Sequence, residues 1–349
     1  MSWMIPVETD TPFRVYPLLG HDLLDRQIVT VIVKGTFGIV ADRRATWAAA
    51  QLPIAEWDEY NDSDNPRSVR TESDLVPFKP RADVILVGKA HAPEGKPVSR
   101  LVVSLKVGQL EQSIAVVGDR RWIAGGSDEL QISEPELFVE MALVYERAFG
   151  GMDLDDDYRG EWSDENPVGV GLISKARKAQ AVGRPLPNLE DPADPIHSWE
   201  DVPKPRCFGC YGRGWKPRVE HAGTYDEQWR SERDPKLPLD FRQEYYNCAH
   251  PDLQLAGFLA GTEQVELSNL SASSPRIAFK LPGITPVVTM DVERPVQGKG
   301  KSTTALENES LNVNLDTLHL FPEEDLFTLV WRGVYSSGEQ RVSGIRVSI

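Results

Sequence analysis

Residues 27–40 read QIVTVIVKGTFGIV. Valine, isoleucine and threonine branch at Cβ; they crowd a helical turn and pack well on a pleated surface. The stretch is therefore a strand pair or one long bent strand. Working outward, residues 82–91, 98–107 and 110–117 carry the same composition and are separated by PEGKP and GQ, which predicts an antiparallel meander. Residues 51–79 between them are polar and turn-rich. Strand signals return at 264–270, 276–281, 286–292, 311–320, 327–332 and 341–349. The fold expected is mainly β: two strand-rich β-sandwich or open-barrel halves, a long irregular, aromatic-rich middle, and few short helices. The corresponding parts are 1–129, 130–252 and 253–349, unless all three form one compact unit.

The middle centres on residues 206–247, which hold Cys207, Cys210, Trp215 and Trp229, with glycines at 209, 212, 214 and 223. No helical or strand periodicity is sustained there until about residue 240. Aromatic rings bury large apolar areas and glycines permit turns closed to other residues, so this is an ordered, packed loop. Arg213, Lys216, Arg218, Arg230 and Arg233 are interleaved with Glu220, Asp226, Glu227, Glu232 and Asp234, which predicts ion pairing around the aromatics. The helices expected in the middle are short, at 172–182 and 242–249.

Lysine plus arginine number 38 against 53 aspartates and glutamates, a formal net charge of −15. That balance argues against nucleic acid or anionic membrane as a partner and is compatible with a basic protein. The N-terminal MSWMIPVETDTPFR has neither a basic n-region nor an apolar h-region, and no apolar run is long enough to span a bilayer. Three cysteines do not make a disulfide framework. The chain reads as cytoplasmic.

Several motifs suggest chemistry without its context. Cys207, Cys210, Cys248 and His250 offer four zinc-ligand types, yet Cys248-Ala-His250 is a tighter pair than most ribbons use, and ordinary buried cysteines are the plainer reading. Asp153-Leu-Asp155-Asp-Asp157 resembles half a calcium loop, but its sixth and twelfth positions hold Tyr158 and Asp164 where glycine and glutamate are needed. Gly298-Lys-Gly300-Lys301-Ser302 evokes a phosphate loop, with Pro295 where the first glycine belongs. GxSxG and HExxH do not occur, and His197, His221 and His250 have no nucleophile in a recognisable elbow. No catalytic residue, cofactor or metal is assigned. The enzymatic alternative is a hydrolase using paired acids such as Asp226 and Asp240; a third reading is a structural component of a secretion or phage-like assembly.

Across nearly the whole chain, a set of segments resembles one family in family order. They are Val33-Lys-Gly-Thr-Phe37, Ser73-Asp-Leu-Val-Pro-Phe-Lys-Pro-Arg-Ala-Asp83, Val84-Ile-Leu-Val-Gly88, Val117-Gly-Asp-Arg-Arg-Trp122 and Tyr145-Glu-Arg-Ala-Phe-Gly-Gly151. Asn166-Pro-Val-Gly-Val-Gly171, Leu186-Pro-Asn-Leu-Glu190, Trp215-Lys-Pro-Arg218 and Ala222-Gly-Thr-Tyr-Asp-Glu-Gln-Trp229 follow. Leu237-Pro-Leu-Asp-Phe241, Leu315-Asp-Thr317 and Leu329-Val-Trp-Arg332 complete the set. The family is that of type VI secretion effector adaptors, long catalogued as a domain of unknown function, and the Cys207/Cys210 pair is less typical of it. The resemblance implies a bacterial cytoplasmic adaptor or chaperone that binds a PAAR-like effector and helps load it onto the VgrG spike. It marks Tyr145, Arg147, Phe149, Trp215, Arg218, Tyr225, Asp226 and Trp229 as signature residues, structural or partner-facing. Core packing is the plain alternative for Trp122, Trp215, Tyr225 and Trp229.

Overall fold

The structure is a computed structural model that describes residues 5–349 apart from 63, 66, 127, 128, 156, 158, 297–302 and 339. The phosphate-loop-like Gly298–Ser302, and Asp156 and Tyr158 of the acidic run, lie outside the described residues.

The fold is mainly β. Gln27–Gly38 is a single twelve-residue strand, buried at every position from Ile28 to Phe37. It lacks a two-residue alternation because both of its faces are covered. It lies inside a seven-stranded sheet ordered Gln254–Ala256, Arg81–Leu86, Asn314–Phe321, Leu326–Ser336, Gln27–Gly38, Arg14–His21, with Thr46–Trp47 pairing to the end of Gln27–Gly38. Only Arg81–Leu86 and Asn314–Phe321 run parallel. The strand-rich ends of the chain therefore share one sheet, where the sequence suggests two halves.

A five-stranded antiparallel sheet contains Leu189–Glu190, Leu110–Val117, Arg100–Val107, Gln264–Ser268 and Arg276–Lys280. The expected meander holds for its central hairpin and fails for 82–91. That stretch splits at Gly88 into Arg81–Leu86, in the larger sheet, and Lys89–His91, paired with Glu140–Ala142. Strand composition records burial, and Arg81–Leu86 is buried after its first residue, but it does not name the neighbouring strand. A four-stranded sheet joins the two chain ends, with Val7–Thr9 parallel to Arg341–Ser348, followed by Val287–Val296 and Thr303–Leu311. Thr303–Leu311 precedes the strand signal read at 311–320.

The faces of the seven-stranded sheet differ in chemistry. Val31, Val33, Phe37, Phe327, Leu329 and Trp331 belong to the main apolar core, where Phe279 of the five-stranded sheet lies 5.4 Å from Phe327. The registers Lys34↔Val330, Thr36↔Thr328, Thr328↔His319 and His319↔Ile85 put a row of polar side chains on the opposite face. These are buried as well, beneath the 51–79 segment and the middle of the chain.

In the middle, the helix expected at 172–182 is a 3-10 turn at Lys175–Gln180, and the one at 242–249 is a 3-10 turn at Gln243–Tyr246. The α-helix among the described residues is Glu227–Glu232, and its available signal was Asp226 as N-cap, which accepts from the Trp229 amide at 2.8 Å. A small second core gathers Trp122, Phe149, Ile173, Leu186 and Ile196. It is closed by Asn166, whose Nδ2 donates to the carbonyls of Tyr145 at 2.8 Å and Phe149 at 3.0 Å. Among the described residues no helix is long and apolar enough to cross a membrane.

Gly150 is where this closure is tightest. It sits at φ 145°, and a Cβ there would meet the Asn166 carbonyl at 2.2 Å. Gly150→Ala should destabilise the protein by more than about 1 kcal/mol, whereas Gly214→Ala, which meets open space, should change it by less. Urea unfolding of both variants checks this; equal midpoints would refute the role given to Gly150.

Candidate interaction site

Residues far apart in sequence meet on the polar face of the large sheet. Lys34 Nζ donates to Asp74 Oδ2 at 2.8 Å, and the Ala55 amide donates to the same oxygen at 2.8 Å. Arg332 donates to the Asp74 carbonyl at 2.7 Å and pairs with Asp316. Lys79 Nζ donates to Asp83 Oδ2 at 2.7 Å and to Thr317 Oγ1 at 3.1 Å. Asp83 also accepts from Asn247 Nδ2 at 3.0 Å and from the amides of Cys248 and Ala249 at 3.0 and 3.2 Å. One carboxylate on a strand thus anchors the end of the irregular middle.

Arg218 anchors its centre. The guanidinium Nη2 donates to both carboxylate oxygens of Glu72, at 2.7 and 2.9 Å, while Nε and Nη1 donate to the carbonyls of Tyr245 and Tyr211 at 2.7 Å each. Arg213 adds a contact to Glu72 at 2.7 Å. Burial works against the charges of Asp74 and Asp83, but Lys34 and Arg332 beside the first and Lys79 beside the second hold both carboxyls below the ordinary range. Lys34, Asp74, Lys79, Asp83, Arg218, Asp316 and Arg332 all come from the segments quoted above for their resemblance to the adaptor family. Those segments converge on one buried network.

Other signature residues divide by exposure. Tyr145 is buried and packs edge-on against Tyr211 at 5.4 Å and Trp215 at 5.1 Å, with Trp215 buried too. Phe149 sits in the second core with Trp122. Arg147 is half-buried and donates to Asn188 Oδ1 at 2.9 Å. Tyr225 is 51 % exposed and meets the half-buried Trp229 edge-on at 4.7 Å. Their loop is tied down from within: Trp229 Nε1 donates to the Lys236 carbonyl at 2.8 Å, and Thr224 donates to Asp240 at 2.7 and 3.0 Å. Arg233 reaches the Leu23 carbonyl and Lys236 pairs with Asp25 at 3.0 Å. Leu24 lies on the 23–25 turn, 69 % exposed, and Leu239 and Tyr225 on the loop joined to it, 68 % and 51 % exposed; the joined turn and loop are the corner.

Candidate metal and acid groups are engaged elsewhere. All three cysteines are buried free thiols, and burial pushes Cys207 up to about 12. His250 Nδ1 accepts from the Asp252 amide and Nε2 faces the Pro205 carbonyl, each at 3.1 Å, so both ring nitrogens are used. Asp153 accepts from Ser174 at 2.7 Å and pairs with Arg184 at 2.9 Å, while Asp155 accepts from the Asp157 and Arg159 amides. Asp226 caps a helix and Asp240 locks Thr224, so both serve loop geometry. Among the described residues no group of three or more potential metal ligands occurs.

These features define a mainly β scaffold whose aromatic middle is locked to a sheet by buried ion pairs. The chain belongs to the DUF2169 family, described as an uncharacterized protein conserved in bacteria, whose sequence profile matches residues 24–332. Neither a search of curated proteins nor one of solved structures gives a match.

Arg218→Ala should cost about 2–4 kcal/mol of stability, because it leaves buried Glu72 with only the more exposed Arg213 and takes the donor from the Tyr211 and Tyr245 carbonyls, whereas Arg147→Ala should cost less than about 1 kcal/mol. Chemical unfolding of the two variants measures this, and equal small losses would contradict it. A second expectation concerns pH. Burial lowers His319 to about 3 and His250 to about 4, so each stays neutral in the fold while the unfolded chain takes up a proton below about 6.5. Stability should therefore fall with acidification from about pH 6.5 towards pH 4, by up to about 1.4 kcal/mol per pH unit for each histidine. Asp74 and Asp83, held low in the fold, add their loss only below about pH 4. Urea midpoints across that range give the slope; a flat profile would refute the buried neutral histidines.

Proposed function

We propose that this protein is an adaptor or chaperone that binds a PAAR-like type VI secretion effector and helps load it onto the VgrG spike. The observation that carries the reading is the corner where Leu24 on the 23–25 turn and Tyr225 and Leu239 on the loop joined to it are exposed while the two segments are held to each other. A rigid exposed aromatic beside aliphatic side chains suits an interface core, since little side-chain freedom is lost when a partner covers it. The net charge of −15 favours encounter with a basic partner surface. Binding before secretion puts the protein in the cytoplasm, where three free thiols are at home.

The hydrolase reading has less behind it. The buried carboxylates Glu72, Asp74, Asp83, Asp153, Glu190 and Asp316 each have a lysine or arginine partner, which leaves none of them as a free acid facing a base. A neutral, unpaired carboxyl beside a carboxylate is what glycoside chemistry needs.

Tyr225→Asp combined with Leu24→Asp should reduce co-purification of the PAAR-like effector from the native host by at least tenfold, about 1.4 kcal/mol, and leave the melting temperature near that of the parent protein. Undiminished capture by a folded variant would remove the corner from the interface.

A further inference from the structure

A strand at the border of a sheet turns alternate backbone N–H and C=O groups away from its neighbour, and folds guard such groups with short strands, proline, lysine, bulges or a covering segment. Most borders of the three larger sheets are guarded in these ways. Val7–Thr9, Gln254–Ala256 and Leu189–Glu190 are short. Arg14–His21 contains Pro17, which removes a donor. Arg276–Lys280 is covered by the 42–45 stretch. There the Asp42 amide donates to the Ala278 carbonyl at 2.6 Å, the Ala45 amide to that of Lys280 at 2.8 Å, and the Lys280 amide to that of Arg43 at 2.9 Å.

The exception is Thr303–Leu311, which ends the four-stranded sheet. It holds nine residues, none of them proline, lysine or arginine, and pairs with Val287–Val296 in unbroken register. Glu307 lies opposite the fully buried Val292 and so on the same face, yet it is exposed, as are Leu306 and Asn308 beside it. Nothing among the described residues closes the flank there, and no backbone group of 305–310 bonds to a described residue outside the sheet. Such an edge is a template for another strand.

Charge selects the occupant. Two copies paired antiparallel about the middle of this strand would set Glu307 of one against Glu307 or Glu309 of the other, and like charges directly opposite destabilise a sheet. Within one chain both glutamates share a single counterion, since Arg294 meets Glu307 at 3.0 Å and also pairs with Glu309. That face keeps a surplus of negative charge. The other face presents Leu306, 66 % exposed. A strand laid alongside would match them with basic side chains at alternate positions and an apolar one between. We propose that the Thr303–Leu311 edge accepts an extended, basic segment of another protein as an added strand of this sheet. This edge does not depend on the adaptor reading.

The test is titration of the full chain with a blocked, fluorescent peptide of alternating lysine and valine. Its glutamate–valine counterpart and the lysine peptide methylated on alternate backbone nitrogens are the controls. The lysine peptide should bind saturably, at least tenfold more tightly than either control, and should slow hydrogen exchange of the 305–310 amides. Leu306→Lys and Glu307→Lys change exposed side chains and so keep the fold, which melting curves check; each should weaken binding at least fivefold. Binding that spares neither variant's exchange pattern from resembling the free protein, parent-like affinity in both variants, or equal affinity for the methylated peptide would mean mere attraction to an acidic surface and would overturn the assignment. So would absence of binding up to about 1 mM. A dimer of the free chain, seen by ultracentrifugation and dissolved by Leu306→Lys, would seat a second copy on this edge and overturn it as well.

Discussion

The contact between Arg218 and Glu72 is the constraint from which the rest of the middle follows. A segment that forms no continuous ladder must still satisfy its backbone, and a buried unpaired carbonyl or charge is costly. Arg218 meets two carbonyls and both oxygens of one carboxylate with a single planar group. The aromatic trio Tyr145, Tyr211 and Trp215 then packs around the Tyr211 backbone that this arginine holds. Asp83 does the corresponding work at the other end of the loop, where it accepts from two consecutive amides.

The polar face of the seven-stranded sheet is what makes such anchoring available. Were Lys34, Thr36, Thr328, His319 and Arg332 apolar, the covering segments would pack with less definition of register. Buried ion pairs add little net stability compared with apolar packing, but they penalise every arrangement that separates the partners. For a protein read as an adaptor, that bears on function: Tyr225 and its neighbours stay exposed because Trp229, Arg233 and Lys236 spend their hydrogen bonds inside their own loop and on the 23–25 turn. A preorganised corner loses less entropy when it is covered.

Much of this was legible in local composition, and the rest was not, for physical reasons. Residues 27–40 announce a strand, since β-branching acts within each residue. Their partners do not announce themselves: the stretch at 82–91 reads as one meander strand and is divided between two sheets. Ion pairing around the aromatics of 206–247 was readable as a tendency, but the acid that Arg218 holds lies 146 positions away. The helix at Glu227–Glu232 was hidden by its six-residue length, although Asp226 before it was a sound start signal. His319 gave no sign at all, because an isolated histidine in an apolar run becomes notable only when burial and an unpartnered nitrogen are known.

The central claim is that the middle is held by the coupling of Arg218 to Glu72. A double-mutant cycle with Arg218→Ala, Glu72→Ala and the pair, read by denaturant unfolding, measures it most directly. The account predicts that the double variant costs little more than the worse single one, a coupling of about 2 kcal/mol or more. Additive losses, or single losses within about 0.5 kcal/mol, would contradict it.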